Sequence, residues 1–301
     1  MTGNNNYLVF NLARINPISI EIPRMESTPK LRPYFVLLKS LFFLLILSSC
    51  DKFNYSPHAV DVDQKYSNIN SNNIQRLLDN PSEGDTIRLI VLGDTQRFYY
   101  PTEKLIKKIN KLPKGSIDFV VHTGDLVDFG LQKEYNWIHE LLKTMNYPYM
   151  AVIGNHDMVG NGKEVYRRMY GDLNFSFKFK QTKFIYIHTN SREEDFSDMV
   201  PDVGWLDAEL SDTANYTNAI VVSHVAPHHS GDFSTQLETE YIHTLEKYKK
   251  TLLYINGHNH KYSWEDVYEN DIWFLNTYST SHEKALILKI WDGGYGFEIL
   301  D

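Results

Sequence analysis

The length, composition and charge of the chain indicate a globular protein and exclude several classes. Its 301 residues are 42% hydrophobic and 23% charged. This composition is too apolar for a disordered chain and lacks the biased amino-acid usage of fibrous proteins. The formal net charge of −8 disfavours nucleic acid duplexes as partners, because an acidic body repels a phosphate backbone. A single cysteine excludes an intrachain disulfide and a zinc site built from cysteines.

The first fifty residues have the pattern of a lipoprotein signal peptide. Basic residues precede an apolar run at 41–47, and two serines lead to the sole cysteine, Cys50. The run is well short of the roughly 20 residues that a spanning helix needs. "LSSC" resembles the bacterial lipoprotein box, in which the cysteine is lipidated. We therefore expect a lipid anchor at Cys50, in the cell envelope and outside the cytoplasm; the alternative is a buried helix with an incidental cysteine.

Two further boundaries follow from composition. Residues 1–24 make the basic region unusually long, so we expect Met25 to be the true start. Residues 51–85 are polar and rich in asparagine, which predicts a tether with one short helix near 74–78. The folded domain is expected at 86–301.

The first half of this domain alternates between apolar runs and helical patterns. "TIRLIVLGD", "IDFVVHTGD" and "YPYMAVIGNHD" are short, apolar and rich in β-branched residues, which predicts buried strands. Between them, "TEKLIKKINKL" and "QKEYNWIHELLKTM" have apolar residues at helical spacing, the first with Thr102 and Glu103 as a cap. Such alternation predicts a parallel sheet with helical crossovers.

The second half is richer in strands. "FSFKFK" and "FIYIHT" alternate around "QTK" as in an antiparallel hairpin, and "AIVVSH" and "LLYINGHNH" again predict buried strands. Helices are expected at "WLDAELS" and at 237–248, and three more strands at "IWFLNT", "ALILKI" and "GFEIL". The sequence therefore predicts an α/β domain with a β-rich end.

Polar side chains follow five of these strands at the points where the strands end. Because ligands bind at the carboxyl ends of strands in open α/β sheets, we expect the side chains to converge. Two carboxylates, an amide and three imidazoles are ligands that suit Mn, Fe, Zn or Ni. The same six side chains in a core without hydrogen-bond partners would each cost about 1 to 3 kcal/mol of folding free energy. The residues are Asp94, Asp125, Asn155, His224, His258 and His260.

At these residues the chain resembles the calcineurin-like metallophosphoesterases. The family pattern is Asp-x-His, Gly-Asp-x-x-Asp, Gly-Asn-His-Asp or Glu, a lone His, and Gly-His-x-His. The corresponding stretches are "GDTQ" (93–96), "GDLVD" (124–128), "GNHD" (154–157), His224 and "GHNH" (257–260). The order is that of the family, over about residues 86–301.

The resemblance implies a layered sandwich of two mixed sheets flanked by helices, with two divalent metal ions at the carboxyl ends of the strands. Asp125 would bridge the ions and His156 would act on the substrate phosphate, with Asp157 orienting His156 and Asp128 supporting the loop. By the same resemblance, the first ion would be held by Asp94, Asp125 and His260, and the second by Asp125, Asn155, His224 and His258.

One position departs from the pattern, because Gln96 replaces the usual histidine. A carboxamide oxygen is a poorer donor than imidazole to a transition metal, so the first ion should be held more loosely. Arg97, directly after the first motif, and His228 and His229, in the loop just past His224, are candidates for substrate contact. We expect His122 to be a core or supporting histidine.

The resulting prediction is a lipid-anchored hydrolase of phosphate monoesters or diesters. A nucleotidase or pyrophosphohydrolase of the same fold is one alternative. A non-catalytic metal-binding lipoprotein is another, and among the motif residues only Gln96 favours it.

Overall fold

The computed structural model describes residues 38–42, 56–229 and 231–301. The predicted lipidation site, Cys50, and most of the predicted signal peptide lie outside these ranges. Within them, no helix is both long enough and apolar enough to cross a membrane.

Eleven strands lie within the described residues, and all those predicted above are present. They are β1 (Ile87–Leu92), β2 (Phe119–His122), β3 (Tyr149–Ala151), β4 (Phe175–Phe179), β5 (Thr182–Tyr186), β6 (Asn218–Val222), β7 (Thr251–Asn256), β8 (Ser263–Glu265), β9 (Trp273–Asn276), β10 (Ala285–Trp291) and β11 (Gly294–Leu300).

The α-helices between and before these strands cover the two outer faces of the sheets. They are α1 (Ile69–Asp79), α2 (Tyr99–Ile109), α3 (Gln132–Leu142), α4 (Gly162–Tyr170), α5 (Val203–Ser211) and α6 (Thr235–Lys247). Helix α2 begins three residues before the predicted cap, and the Thr102 hydroxyl donates back to the carbonyl of Phe98, the residue that precedes the helix.

The strands form two mixed sheets. The first has the order β11-β10-β1-β2-β3, in which β1, β2 and β3 are parallel and β10 and β11 are antiparallel additions. The second has the order β4-β5-β6-β7-β9-β8, in which the inner four strands are parallel. The predicted hairpin is confirmed as the antiparallel pair β4–β5.

Three apolar clusters hold the layers together. The first lies between the first sheet and helices α1–α4, the second between the two sheets, and the third between the second sheet and helices α5 and α6. Strands buried on both faces explain the continuous apolar runs in the sequence. The predicted α/β sandwich of two mixed sheets is therefore confirmed.

Part of the predicted tether belongs to the folded domain. Helix α1 packs on the first sheet, with Ile69 and Leu77 buried, and the side chain of Asn70 exchanges two hydrogen bonds with the backbone of Ala151. The predicted helix at 74–78 is the second half of α1. The part of the predicted tether that forms α1 therefore packs on the domain, because two buried apolar side chains and a buried amide dock a polar helix.

Candidate metal centre

The predicted site residues lie at the carboxyl ends of five strands from both sheets. Asp94 follows β1, Asp125 follows β2 and Asn155 follows β3, whereas His224 follows β6 and the two histidines His258 and His260 follow β7. The fold brings them together, because these strand ends lie along one edge of the sandwich.

Asp125 lies at the middle of this cluster and is buried. Its Oδ1 accepts a hydrogen bond from the backbone N–H of His156 at 3.0 Å and lies 3.3 Å from His224 Nε2. Its Oδ2 accepts from Gln96 Nε2 at 2.8 Å. Burial opposes ionisation of Asp125, but the neighbouring His224 outweighs it and lowers the pKa of the carboxyl to about 2.

Asp94 is the second buried carboxylate. Its Oδ1 accepts from the backbone N–H of His258 at 3.1 Å and lies 3.5 Å from His260 Nε2. Its Oδ2 is buried and accepts no hydrogen bond from the described residues. Burial raises the pKa of Asp94 to about 7, so a cation beside it would stabilise the charged form.

The imidazoles of His224 and His258 and the amide of Asn155 form one compact group. Asn155 Oδ1 lies 3.0 Å from His224 Nε2 and 3.1 Å from His258 Nδ1. His224 Nδ1 donates to the carbonyl of Thr123 at 2.8 Å, which directs Nε2 into the cluster. The backbone of Thr123 thus sets the orientation of the His224 ring, as supporting groups do for metal-binding histidines.

Gln96 lies within the cluster, beside Asp125. While its Nε2 bonds to Asp125, its Oε1 is buried and has no hydrogen-bond partner among the described residues. That oxygen is the atom of the amide able to bind a cation.

Several of these residues have a left-handed backbone, which non-glycine residues rarely adopt. The φ angles of Asp94, Asp125, His258 and His260 are 51°, 53°, 76° and 58°, and that of Gln96 is 30°. Such conformations cluster at functional sites, where the surrounding structure enforces them.

The close approach of the loops also requires glycine at position 154. A Cβ on Gly154 would lie 2.1 Å from the backbone nitrogen of Asp125 and 2.2 Å from its Oδ1. Any side chain at Gly154 would therefore displace the central carboxylate.

His156 lies beside the cluster with its side chain 38% exposed. Its Nδ1 donates to the carbonyl of Asp128 at 3.0 Å and lies 3.4 Å from Asp128 Oδ1, and its Nε2 has no hydrogen-bond partner among the described residues. Arg97 Nη1 contacts the other oxygen of the same carboxylate at 3.2 Å. Asp128 therefore holds both His156 and Arg97.

The predicted roles of Asp128 and Asp157 are exchanged in the structure. Asp157 is buried, and its carboxylate accepts from the backbone N–H groups of Val127 at 2.9 Å and Gly154 at 2.8 Å. Its side chain joins the loops after β2 and β3, and Asp128 contacts the imidazole of His156. The prediction that Asp157 orients His156 is wrong, because the Asp157 carboxylate is committed to backbone donors.

The predicted substrate contact at His228 is not supported by the geometry. The His228 ring packs edge-on against Phe274, with ring centroids 5.1 Å apart, and burial lowers its pKa. Its neighbour His229 instead has its ring 4.6 Å from that of His258 and bonds to Asp232. Sequence reasoning missed Asp232, whose only signal was its place in the loop after His224.

His122 is the supporting residue that the sequence predicted. It is buried, its Nδ1 accepts from the Gly124 N–H, and its Nε2 lies 3.1 Å from Thr95 Oγ1. Burial lowers the pKa of His122 to about 3, so the ring is neutral and stabilises the loop after β1.

The donor atoms fit divalent cations. Ligand atoms of Asp94, Asp125 and His260 lie within 4.8 Å of one another, and so do those of His229, Asp232 and His258. Asp94 Oδ2 and Gln96 Oε1 are buried and have no hydrogen-bond partner in the part of the chain that the structure describes. Mixed carboxylate, amide and imidazole donors are the set that Mn, Fe and Zn accept.

Comparison with known proteins identifies the class. Residues 87–262 match the family model described as calcineurin-like phosphoesterase, and the match includes every residue of the cluster. The chain belongs to this family and is a metal-dependent phosphoesterase, that is, a hydrolase of phosphate esters.

The individual proteins to which the chain is similar share a quarter of their residues with it or fewer. The chain is similar to a probable glycerophosphodiester phosphodiesterase, GpdQ, of Arcobacter nitrofigilis, with 25% identity over 195 residues, 61% of this chain and 70% of the relative. Its fold is similar to that of a dimetal phosphatase from Danio rerio (TM-score 0.58, 12% identity, 71% of this chain and 95% of that one). It is also similar to that of GAP50 of Plasmodium (TM-score 0.55, 16% identity, 72% and 84%).

Proposed function

We propose that the chain hydrolyses phosphate diesters with two divalent metal ions that share Asp125. The central position of Asp125 carries this proposal, because one carboxylate oxygen lies toward His224 and the other toward Gln96. Asp94 and His260, with Gln96, would complete the first ion site, and Asn155, His224 and His258 the second.

Bound divalent cations would supply Lewis-acid polarisation of the phosphoryl group and activation of water. The chain itself supplies the proton donor. Asp128 accepts the Nδ1 proton of His156, so Nε2 of the doubly protonated ring can give its own proton to the leaving oxygen, which leaves the ring neutral. Arg97, paired with Asp128 and 64% exposed, can contact a phosphoryl oxygen from the same side.

The relative from Arcobacter nitrofigilis favours a diester substrate, since that protein is a probable glycerophosphodiester phosphodiesterase. We propose that Gln96 marks a subtype of the family in which the first ion is held more loosely. A simple phosphatase, a nucleotidase or a pyrophosphohydrolase would use the same residues. The substrate panel below distinguishes among these activities.

The direct test measures metal content and activity together. Protein comprising residues 51–301 is stripped of metal, titrated with Mn²⁺ or Zn²⁺ and assayed on p-nitrophenyl phosphate, bis(p-nitrophenyl) phosphate and nucleotides. We expect two ions per chain and the highest kcat/KM on the diester. Stoichiometric metal binding without hydrolysis of any ester would instead support a non-catalytic metal-binding protein.

We also propose that the chain is anchored through lipid at Cys50 in the cell envelope. The sequence pattern of residues 25–50 supports this, with a basic region, an apolar run and a small-residue processing site. With this anchor, the partners that we propose for the chain are a membrane and a small phosphate-ester substrate.

Labelling tests the anchor. In a bacterial host grown with labelled palmitate, the full chain should take up label, and Cys50→Ala should abolish it and leave an unprocessed precursor. A chain started at Met25 should behave as the full chain does. A cleaved, soluble, unlabelled product would establish ordinary secretion instead.

A further inference from the structure

The carboxylate of Asp232 holds two side chains that the proposed function leaves unused. Its Oδ1 lies 3.3 Å from Arg192 Nη2, and its Oδ2 accepts a hydrogen bond from His229 Nδ1. Asp232 is 2% exposed, whereas the side chain of Arg192 is 52% exposed. A buried carboxylate thus presents an exposed cation and an imidazole; these three residues are called the Asp232 group below.

The Asp232 group borders the candidate metal centre on the side of His258. The His229 ring meets the His258 ring edge-on at 4.6 Å, and Asp232 Oδ2 lies 4.0 Å from His258 Nε2. The other ring nitrogen of His258 faces Asn155. His258 therefore separates the cluster of metal-binding atoms from the Asp232 group.

The same arrangement occurs at the other end of the site. There the buried carboxylate of Asp128 contacts Arg97 with one oxygen and His156 with the other. The two sets come from different sheets, one from the loops after β1, β2 and β3, the other from the loops after β5 and β6. Each has an exposed guanidinium that a buried carboxylate holds in one orientation, which is how arginine is prepared to bind phosphate oxygens.

We propose that Asp232 is a positioning residue, and that Arg192 and His229 bind phosphoryl oxygens of the substrate on the side away from His156. This inference rests on the proposed function. A monoester dianion carries one more negative charge than a diester, so the Arg192 guanidinium contributes more to monoester binding. The Asp232 group therefore influences which phosphate esters the site accepts.

The test uses the full chain loaded with Mn²⁺ and the variant Arg192→Gln. We expect KM for p-nitrophenyl phosphate to rise about 10-fold, with kcat within about 3-fold and a smaller rise in KM for bis(p-nitrophenyl) phosphate. Calorimetry should show the Kd of inorganic phosphate rising about 10-fold. Arg168→Gln is the matched control, since Arg168 is half-exposed and paired with Glu164 on α4, and it should change neither constant.

Asp232→Asn separates positioning from metal binding. It should raise the same KM and the phosphate Kd as Arg192→Gln does, with unchanged metal content, and Asp232→Glu should restore part of the loss. Loss of metal from Asp232→Asn would overturn the proposal and place Asp232 among the metal ligands. A KM and a phosphate Kd of Arg192→Gln within about 2-fold of the parent values would overturn it as well.

The two proposals fail in different ways. If the parent protein hydrolyses none of the esters, the proposed function is wrong, yet phosphate binding by the metal-loaded protein still tests the Asp232 group. If Asp232→Asn does not fold, Arg192→Gln and His229→Gln decide alone, through the same phosphate Kd.

Discussion

The loops after β1, β2 and β3 and the loops after β6 and β7 contribute different atoms to the same site. The first sheet supplies oxygen donors from Asp94, Asp125 and Asn155, and the second supplies imidazoles. Asp125 is tied to its own sheet, since Gln96 and the His156 backbone both bond to its carboxylate. The residues that carry the imidazoles are bonded to the opposite sheet. The carbonyl of Thr123, in a loop of the first sheet, fixes the His224 ring, and Asp94 accepts a hydrogen bond from the His258 backbone.

This difference indicates that the first sheet is the frame of the site and the second completes it. Substitution of a central oxygen donor should therefore cause a loss of activity that added metal does not restore. Substitution of an outer imidazole should cause a loss that excess metal does restore. The predictions below test that division, from the largest expected effect to the smallest.

Asp125→Asn should fold normally and lose activity about 10³-fold or more, because a neutral amide cannot bridge two cations. Turnover of bis(p-nitrophenyl) phosphate across a range of Mn²⁺ measures this, with no recovery expected at high metal. Asp207→Asn serves as the control, since Asp207 lies on α5, pairs with Lys247 and is 39% exposed. Activity near that of the parent would refute the shared-carboxylate mechanism.

His156→Ala should lower kcat about 10²- to 10⁴-fold while leaving the metal content near normal, since its imidazole contacts Asp128 and none of the proposed ligands. Asp128→Asn should have a smaller effect, because the Asp128 carbonyl still accepts the Nδ1 proton. Metal analysis with steady-state kinetics separates the two roles. Loss of metal from His156→Ala would show that His156 is a ligand.

His260→Ala removes a partly exposed imidazole whose Nε2 lies 3.5 Å from the buried carboxylate of Asp94. We expect one ion to bind about 10- to 100-fold more weakly, with activity restored by excess Mn²⁺. Titration of metal against activity gives both quantities. If excess metal does not restore activity, the two sheets do not differ as described.

Asp157→Asn should act on stability and spare turnover. The change weakens two charge-assisted bonds to the backbone, from Val127 and Gly154, and should cost about 1 to 3 kcal/mol of unfolding free energy. Urea unfolding and kcat of the folded fraction measure the two effects. A large fall in kcat at unchanged stability would restore the role in orienting His156 that the sequence suggested.

Gln96→His should have the smallest effect. An imidazole in place of the carboxamide should tighten the weaker ion about 10-fold, or roughly 1.4 kcal/mol. Calorimetric titration of the metal-free protein should show two unequal affinities in the parent that become closer in the variant. Unchanged affinities would mean that Gln96 does not bind the ion.

The strands and the residues at their ends could be predicted from the sequence, because a strand buried on both faces is a continuous apolar run that stops where its polar ligand begins. Helices α1 and α4 were harder to predict from the sequence. Helix α4 carries an apolar stripe of only Val165, Tyr166, Met169 and Tyr170 among charged neighbours, and α1 has a polar composition. Their packing on the first sheet depends on contacts that no local pattern records.

Roles within a motif could not be read from spacing alone. Asp128 and Asp157 each end a motif, and only the path of the loops decides which carboxylate meets an imidazole and which meets backbone donors. For adjacent His228 and His229, the loop direction likewise turns one ring into an aromatic cluster and the other toward His258. Asp232 becomes visible only once loops from two strands are folded together.

The left-handed backbone of the cluster serves the proposed catalysis but lowers the thermal stability of the protein. Asp94 combines a φ of 51° with a buried, partly unpartnered carboxylate, and each feature costs folding free energy that a glycine or asparagine there would recover in part. Selection for a higher melting temperature alone would therefore favour substitutions at this position that remove a proposed metal ligand. An engineered, more thermostable form should gain its stability in the helical layers, where no such conflict exists.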